Sequence, residues 1–177
     1  SRPHEDSVEI RRSMNNKTKL YFMCGKMAAG KSTYAKELAG RTGAVLLVQD
    51  ELLVALYPGE IVELPDYARC WSRLTNALTP IVCAMLSKGI SVVLDFPANT
   101  TGQRAWFRTM IEQAGVEHEM HYVDAPDELC KQQLRERSKH LPPASSWTTE
   151  AEFDAVTAYF RPPSEDEGFN VIRYERT

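Results

Sequence analysis

Apolar and polar positions fall into two kinds of block along this chain. Short continuous runs of apolar or β-branched residues alternate with longer stretches of helical character. Lys19–Cys24 (KLYFMC), Ala44–Val48 (AVLLV) and Ser91–Phe96 (SVVLDF) read as buried strands. His118–Val123 alternates weakly and reads as a fourth strand, and Asn170–Tyr174 as a fifth. Between them, Lys31–Thr42 reads as a helix stopped by Gly43, and Gln103–Ala114 as one stopped by Gly115. A long stretch from Asp66 to Lys88 is mostly helical, with Pro80 as the place where it could kink or split. Asp127–His140 is a basic helix. Thr149-Glu150-Ala151-Glu152 is a capping box that opens a helix running to about Phe160. Continuous apolar strands alternating with helices predict an α/β fold: a mainly parallel five-stranded sheet with helices on both faces.

Length and composition narrow the class. The chain has 177 residues, close to one domain's worth, and no segment reads as a linker. Its 43% hydrophobic and 25% charged residues are those of an ordinary globular domain, which excludes disordered and collagen-like classes. The formal net charge of −3 lacks the strong basic excess of a nucleic-acid binder. Cys24, Cys70, Cys83 and Cys130 are far apart and form no metal or redox pair, and free thiols fit a reducing, cytoplasmic setting. His4, His118, His121 and His140 have no ligand-like spacing. No apolar run approaches the roughly 18 residues of a membrane span. Residues 1–13 are polar and patternless, and Met14 opens MNNKTK like a natural start. We expect residues 1–13 to be a cloning scar or loose extension and residues 14–177 to form one domain.

The sharpest motif is Gly25-Lys26-Met27-Ala28-Ala29-Gly30-Lys31-Ser32, which fits G-x-x-x-x-G-K-S/T in full. Ordinary residue frequencies give such a match in about one chain in a hundred of this size. Here it also follows a predicted strand and opens a predicted helix, as a phosphate-binding loop requires. Glycines let the backbone turn its N–H groups inward, and the helix N-terminus adds its positive end. Residues Gly25 to Thr33 are therefore the expected nucleotide-binding segment. Lys31 is expected on the β- and γ-phosphates and the Ser32 hydroxyl on Mg²⁺.

Ligands of an open parallel sheet sit beyond the carboxyl ends of its strands. Two carboxylates fall there. Asp95 closes the run VVLD and is the expected partner of Ser32 at Mg²⁺; the bland alternative is a turn or cap. Asp50 ends AVLLVQD, where it can accept the proton of an attacking hydroxyl or simply cap the following helix. Its neighbour Glu51 is the weaker candidate base. Between Leu129 and Leu141, Lys131, Arg135, Arg137 and Lys139 stand against a single Glu136, which suggests a lid whose guanidinium stabilises the transferring phosphoryl group. Arg135 and Arg137 lie two apart, so only one can face the phosphates. Arg69 and Arg73 share a helix face and are candidates to read an anionic substrate.

Together these segments resemble the P-loop kinases of the group that includes zeta toxins, chloramphenicol phosphotransferase, gluconate kinases and polynucleotide 5′-hydroxyl kinases. GKMAAGKST resembles their phosphate loop and VQDELL the segment whose Asp is the general base, here Asp50. VVLDFPANTTGQR resembles their Walker B strand with a following Arg, here Arg104, a further candidate substrate contact. LRERSKH resembles the arginine-bearing lid, which would span about residues 135–148 with Arg137 at the lid-arginine position. The resemblance implies the three-layer nucleoside-monophosphate-kinase-like fold and ATP- and Mg²⁺-dependent transfer to a hydroxyl. One departure matters. Similar polynucleotide kinases carry an Arg three residues after the base, where this chain has Leu53. A small-molecule acceptor is therefore favoured over nucleic acid, with no membrane partner. The rivals are a nucleotide-dependent switch or ATPase and an end-processing polynucleotide kinase.

Overall fold

The computed structural model describes residues 17–143 and 145–177; the segment expected to be a scar or extension lies outside them. Five parallel strands form one sheet in the order β2-β3-β1-β4-β5. They are β1 (Lys19–Cys24), β2 (Val45–Val48), β3 (Val92–Pro97), β4 (Glu117–Asp124) and β5 (Val171–Glu175). The helices are α1 (Lys31–Thr42), α2 (Gln49–Leu56), α3 (Leu64–Ser87), α4 (Thr101–Ala114), α5 (Asp127–Ser138) and α6 (Glu150–Thr157), with a short 3₁₀ turn at Glu165–Glu167.

The period of two along β1 builds both halves of the core. Leu20 and Phe22 face one side, where they meet Leu74, Leu78 and Val82 of α3 and Phe107 and Met110 of α4. Tyr21 and Met23 face the other, with Ala35 and Leu38 of α1, Cys130 and Leu134 of α5 and Phe153 of α6. Phe22 and Phe107 stack with centroids 4.3 Å apart. These are the three layers that the alternating pattern predicts.

Local chemistry sets the helix ends. α3 starts two residues before the expected Asp66 because Glu63 and Asp66 form a capping box and Pro65 supplies a helical φ in the first turn. Pro80 does not split this helix: it is exposed, and the helix runs unbroken to Ser87. Thr100 caps α4 by accepting from the Gln103 amide at 3.1 Å, and Gly115 ends it with φ 64°. The capping box read at Thr149 and Glu152 opens α6.

Strand register brings the polar tips together. Val48 lies opposite Asp95 across the β2–β3 ladder. Gln49 and Asp50 follow at once as the first turn of α2, so the carboxylates of Asp50 and Asp95 sit at adjacent strand ends. Between β1 and β3 the register jumps from Phe22↔Leu94 to Met23↔Pro97. That irregularity falls at Asp95 and Phe96, at the edge of the phosphate loop.

Candidate active site

The loop between β1 and α1 supplies the centre of the site. Gly25 and Gly30 have φ of 151° and 103°, and Ala28 takes the left-handed conformation at 62°. A Cβ on Gly25 would lie 2.6 Å from the Val123 carbonyl oxygen. Only glycine fits there, in both backbone conformation and room. The Lys31 ammonium folds back onto the carbonyls of Gly25 and of Lys26, the latter at 2.9 Å. Burial pushes its pKa down, while Cys24, Asp95 and Asp50 pull it back up.

Ser32 Oγ donates to Asp95 Oδ2 at 2.7 Å. Burial raises the Asp95 pKa and neighbouring Asp50 adds to the rise, while the Ser32 hydrogen bond and Lys31 oppose it. A hydroxyl and a carboxylate at this distance form a hard oxygen donor pair. It suits Mg²⁺, which takes few protein ligands and completes its shell with phosphate oxygens and water.

A cleft of about 1170 Å³ runs along the strand tips past Lys31, Ser32 and Asp95. Asp50 lines it from the first turn of α2. The N-cap of that helix is Val48, with no side-chain cap hydrogen bond, so Asp50 is not the helix cap. It is exposed and has no hydrogen-bond or ion-pair partner among the described residues. Glu51 is exposed and does not line the cleft.

The two arginines of α5 part company. Arg137 lines the cleft, and its guanidinium has no partner among the described residues. Arg135 instead pairs with Glu150 of α6 on the outer side. The loop between these helices is anchored at its base. Ser138 Oγ donates to the Thr148 carbonyl at 3.3 Å, and the Glu152 carboxylate accepts from the backbone of Trp147 at 2.7 Å.

Three expected substrate contacts are corrected. Arg104 is 1% exposed and points into the protein, not the cleft. Its Nε donates to Glu167 Oε1 at 2.6 Å, and its Nη1 donates to the carbonyls of Ala98 at 2.9 Å and Arg161 at 2.8 Å. It shares a buried helix face with Phe107 and Ile111, a pattern visible in the sequence. Arg69 bonds Asp66 at 3.3 Å on the surface of α3, and neither it nor Arg73 lines the cleft. Leu64, Tyr67 and Ala68 do so in their place.

Two functional contacts escape a reading of motifs. Asn99, just after β3, accepts from the Gly25 amide at 2.9 Å and donates to the Gly25 carbonyl at 2.8 Å. This reciprocal pair fixes the first glycine of the loop. Arg176, past β5, donates to the Ala29 carbonyl at 2.6 Å and to Gln133 of α5 at 3.2 Å. It braces the loop from the opposite side. Arg176 has no motif around it, and VVLDFPANTTGQR, which contains Asn99, points to its aspartate and arginine and not to the asparagine. A polar residue right after a strand tip was the available signal for Asn99.

The fold and this loop define a P-loop nucleotide-binding protein with the architecture of the P-loop kinases. Residues 20–163 match the AAA_33 family, an AAA domain, and the chain belongs to that family. No curated protein sequence matches it. Solved structures with the same fold include a sugar kinase from Janibacter sp. HTCC2649, at 18% identity and TM-score 0.62 over 89% of this chain and 85% of that one. Another is the Mycobacterium tuberculosis APS kinase CysC, in complex with AMPPNP and APS, at 18% identity and TM-score 0.57 over 92% and 91%. A third is Chaetomium thermophilum Kti12, in complex with ADP-AlF3, at 16% identity and TM-score 0.62 over 89% and 88%. Among the described residues no helix is long and apolar enough to cross a membrane.

Proposed function

We propose that this protein is an ATP- and Mg²⁺-dependent phosphotransferase that moves the γ-phosphoryl group to a hydroxyl of a small molecule. The observation that carries the reading is Asp50. It is an unpartnered carboxylate on the wall of the nucleotide cleft, one strand tip away from the Ser32–Asp95 pair. A helix cap or a structural ion pair would have engaged it. Free in the cleft, it suits a base that accepts the proton of the attacking hydroxyl.

The other roles follow from position. Loop amides and Lys31 bind the phosphates; on nucleotide binding the Lys31 ammonium exchanges its loop carbonyls for phosphate oxygens. Ser32 and Asp95 would hold Mg²⁺, which would neutralise charge on the phosphate oxygens. Arg137 supplies the lid guanidinium and Arg135 anchors the helix to α6. As the acceptor oxygen bonds to the γ-phosphorus, the bond to the bridging oxygen breaks. The proton passes to Asp50 and ADP leaves with the electron pair.

The test is Asp50→Asn beside Lys31→Ala. Asp50→Asn leaves the loop and metal donors intact. ATP affinity by calorimetry should stay within about threefold, while transfer falls by roughly 10²–10⁴. Lys31→Ala should abolish nucleotide binding in the same titration. Transfer that survives Asp50→Asn removes the base from the scheme. Brisk ATP hydrolysis by wild type, with no acceptor ever phosphorylated, favours the switch, and efficient labelling of a 5′-hydroxyl oligonucleotide favours the polynucleotide kinase.

A further inference from the structure

The charges of the cleft are distributed unevenly. Among the described residues five charged ones line it: Lys26, Lys31, Asp50, Asp95 and Arg137. Four belong to the phosphate loop, the metal pair or the lid. Only Asp50 borders the compartment beyond, walled by α2, the start of α3 and the turn between them. A base must touch the hydroxyl it deprotonates, so the compartment beside Asp50 receives the acceptor.

The lining of that compartment is apolar and aromatic: Leu53, Val54, Tyr57, Ile61, Leu64 and Tyr67. Its polar groups are neutral. Gln49 is buried and accepts from the Tyr67 hydroxyl at 3.0 Å, which leaves the Gln49 amide N–H groups as donors for a ligand. The cations that could have matched an anionic acceptor, Arg69 and Arg73, lie on the outside of α3, and Arg104 is sealed in the core. An acceptor carboxylate or phosphate in this compartment would meet no counter-ion and would face Asp50. A charge held against these apolar walls beside Asp50, with no counter-ion, is unfavourable.

Resting on the phosphotransferase reading above, we infer that the acceptor is a neutral hydroxyl compound with an apolar body, an aryl or alkyl alcohol rather than an anionic metabolite or a bare sugar. Beside Leu53, Val54, Ile61 and Leu64, Gln49 and the tyrosine hydroxyls give a sugar's several remaining hydroxyls too few partners, and each unpaired hydroxyl would cost affinity. The rings of Tyr57 and Tyr67 suit a flat apolar surface.

The experiment is acceptor-stimulated ADP release with Mg-ATP, scored by mass spectrometry of the phosphate ester. The acceptors are a library of primary and secondary alcohols in three classes. 2-Phenylethanol-type compounds represent the neutral apolar class, their ring carboxylates the anionic class and hexoses the polyhydroxyl class. The best neutral apolar acceptor should exceed its own carboxylate in kcat/KM by about tenfold or more, as expected for a charge set beside Asp50 and apolar walls without a counter-ion. Tyr57→Ala should raise the KM for that acceptor while leaving the KM for ATP unchanged. Val54 is 70% exposed on the cleft wall, so Val54→Arg should fold and should narrow the gap towards the carboxylate. Preference for an anionic or polyhydroxyl class would overturn this inference and leave the phosphotransferase reading standing. ATP hydrolysis with no ester from any class removes both.

Discussion

Removing the Glu167 carboxylate tests whether Arg104 belongs to the architecture or to the site. The guanidinium is 1% exposed and Glu167 is its only anionic partner among the described residues, at 2.6 Å. Breaking a buried pair from one side costs about 3–5 kcal/mol, since the remaining charge is left uncompensated. Two carbonyls, of Ala98 and Arg161, still accept from Arg104, and the Glu167 side chain is 20% exposed. We therefore place Glu167→Ala at the lower end, about 2–3 kcal/mol. For a domain of this size that is a fall in Tm of about 5–10 °C, read by calorimetry. Glu167→Gln adds a pH test. Burial pushes the Glu167 carboxyl up, but Arg104 and the Ser164 amide outweigh it and hold the pKa below its usual range. A depressed folded-state pKa contributes stability that is complete above the unfolded value of about 4.3 and lost as pH falls through the folded value. The gap between wild type and Glu167→Gln should be full at neutral pH and close in acid. A Tm change under about 1 °C, or a raised acceptor KM with Tm intact, would refute the structural role.

Two more outcomes follow from the site. Arg137→Ala should lower kcat by about tenfold or more with ATP affinity nearly unchanged, while Arg135→Ala should behave as a surface change; equal small effects in steady-state kinetics would reduce α5 to a solvated face. Asn99→Ala deletes both bonds to Gly25 and should weaken ATP binding by about tenfold in calorimetry, the equivalent of one hydrogen-bond loss of about 1.4 kcal/mol; unchanged affinity would mean the glycine conformation suffices.

Most of the fold was legible because its signals are local. Five apolar runs became five strands, and Gly43, Gly115 and the Thr149–Glu152 box mark helix ends where the sequence puts them. The phosphate loop was legible for the same reason, since its function lies in backbone conformation that Gly25 and Gly30 encode. Asp50 and Asp95 followed from one topological rule, that parallel strands present ligands at their carboxyl ends. Asn99 and Arg176 were not legible. Each acts through a backbone group of the loop, at sequence separations of 74 and 147 residues; the place of Asn99 just past a strand tip is the one hint, and nothing near Arg176 announces its contact. The arginines misled for another reason. Cations in a kinase-like sequence invite a phosphate role, yet Arg104 lies on the apolar stripe of α4 and Arg69 and Arg73 flank the one on α3 that runs through Cys70, Leu74 and Leu78.

The two ends of the cleft differ in kind, and that difference decides what such a sequence can disclose. At the phosphate-loop end the proposed ligand is highly charged, so the residues placed to hold it are glycines, a lysine, a serine and an acid in fixed order. At the end proposed for the acceptor the lining is Leu53, Ile61, Leu64 and Tyr67, residues whose pattern assigns them to a core. Three of the four do pack against the core cluster or belong to it, and they also border the cleft. An apolar binding wall is a core surface left uncovered, and only the tertiary arrangement shows which part is left uncovered. Leu53 illustrates the consequence. As a sequence difference it argued only against a polynucleotide. In its place, 5% exposed on the inner wall one turn after Asp50, it helps make the compartment beside that carboxylate apolar.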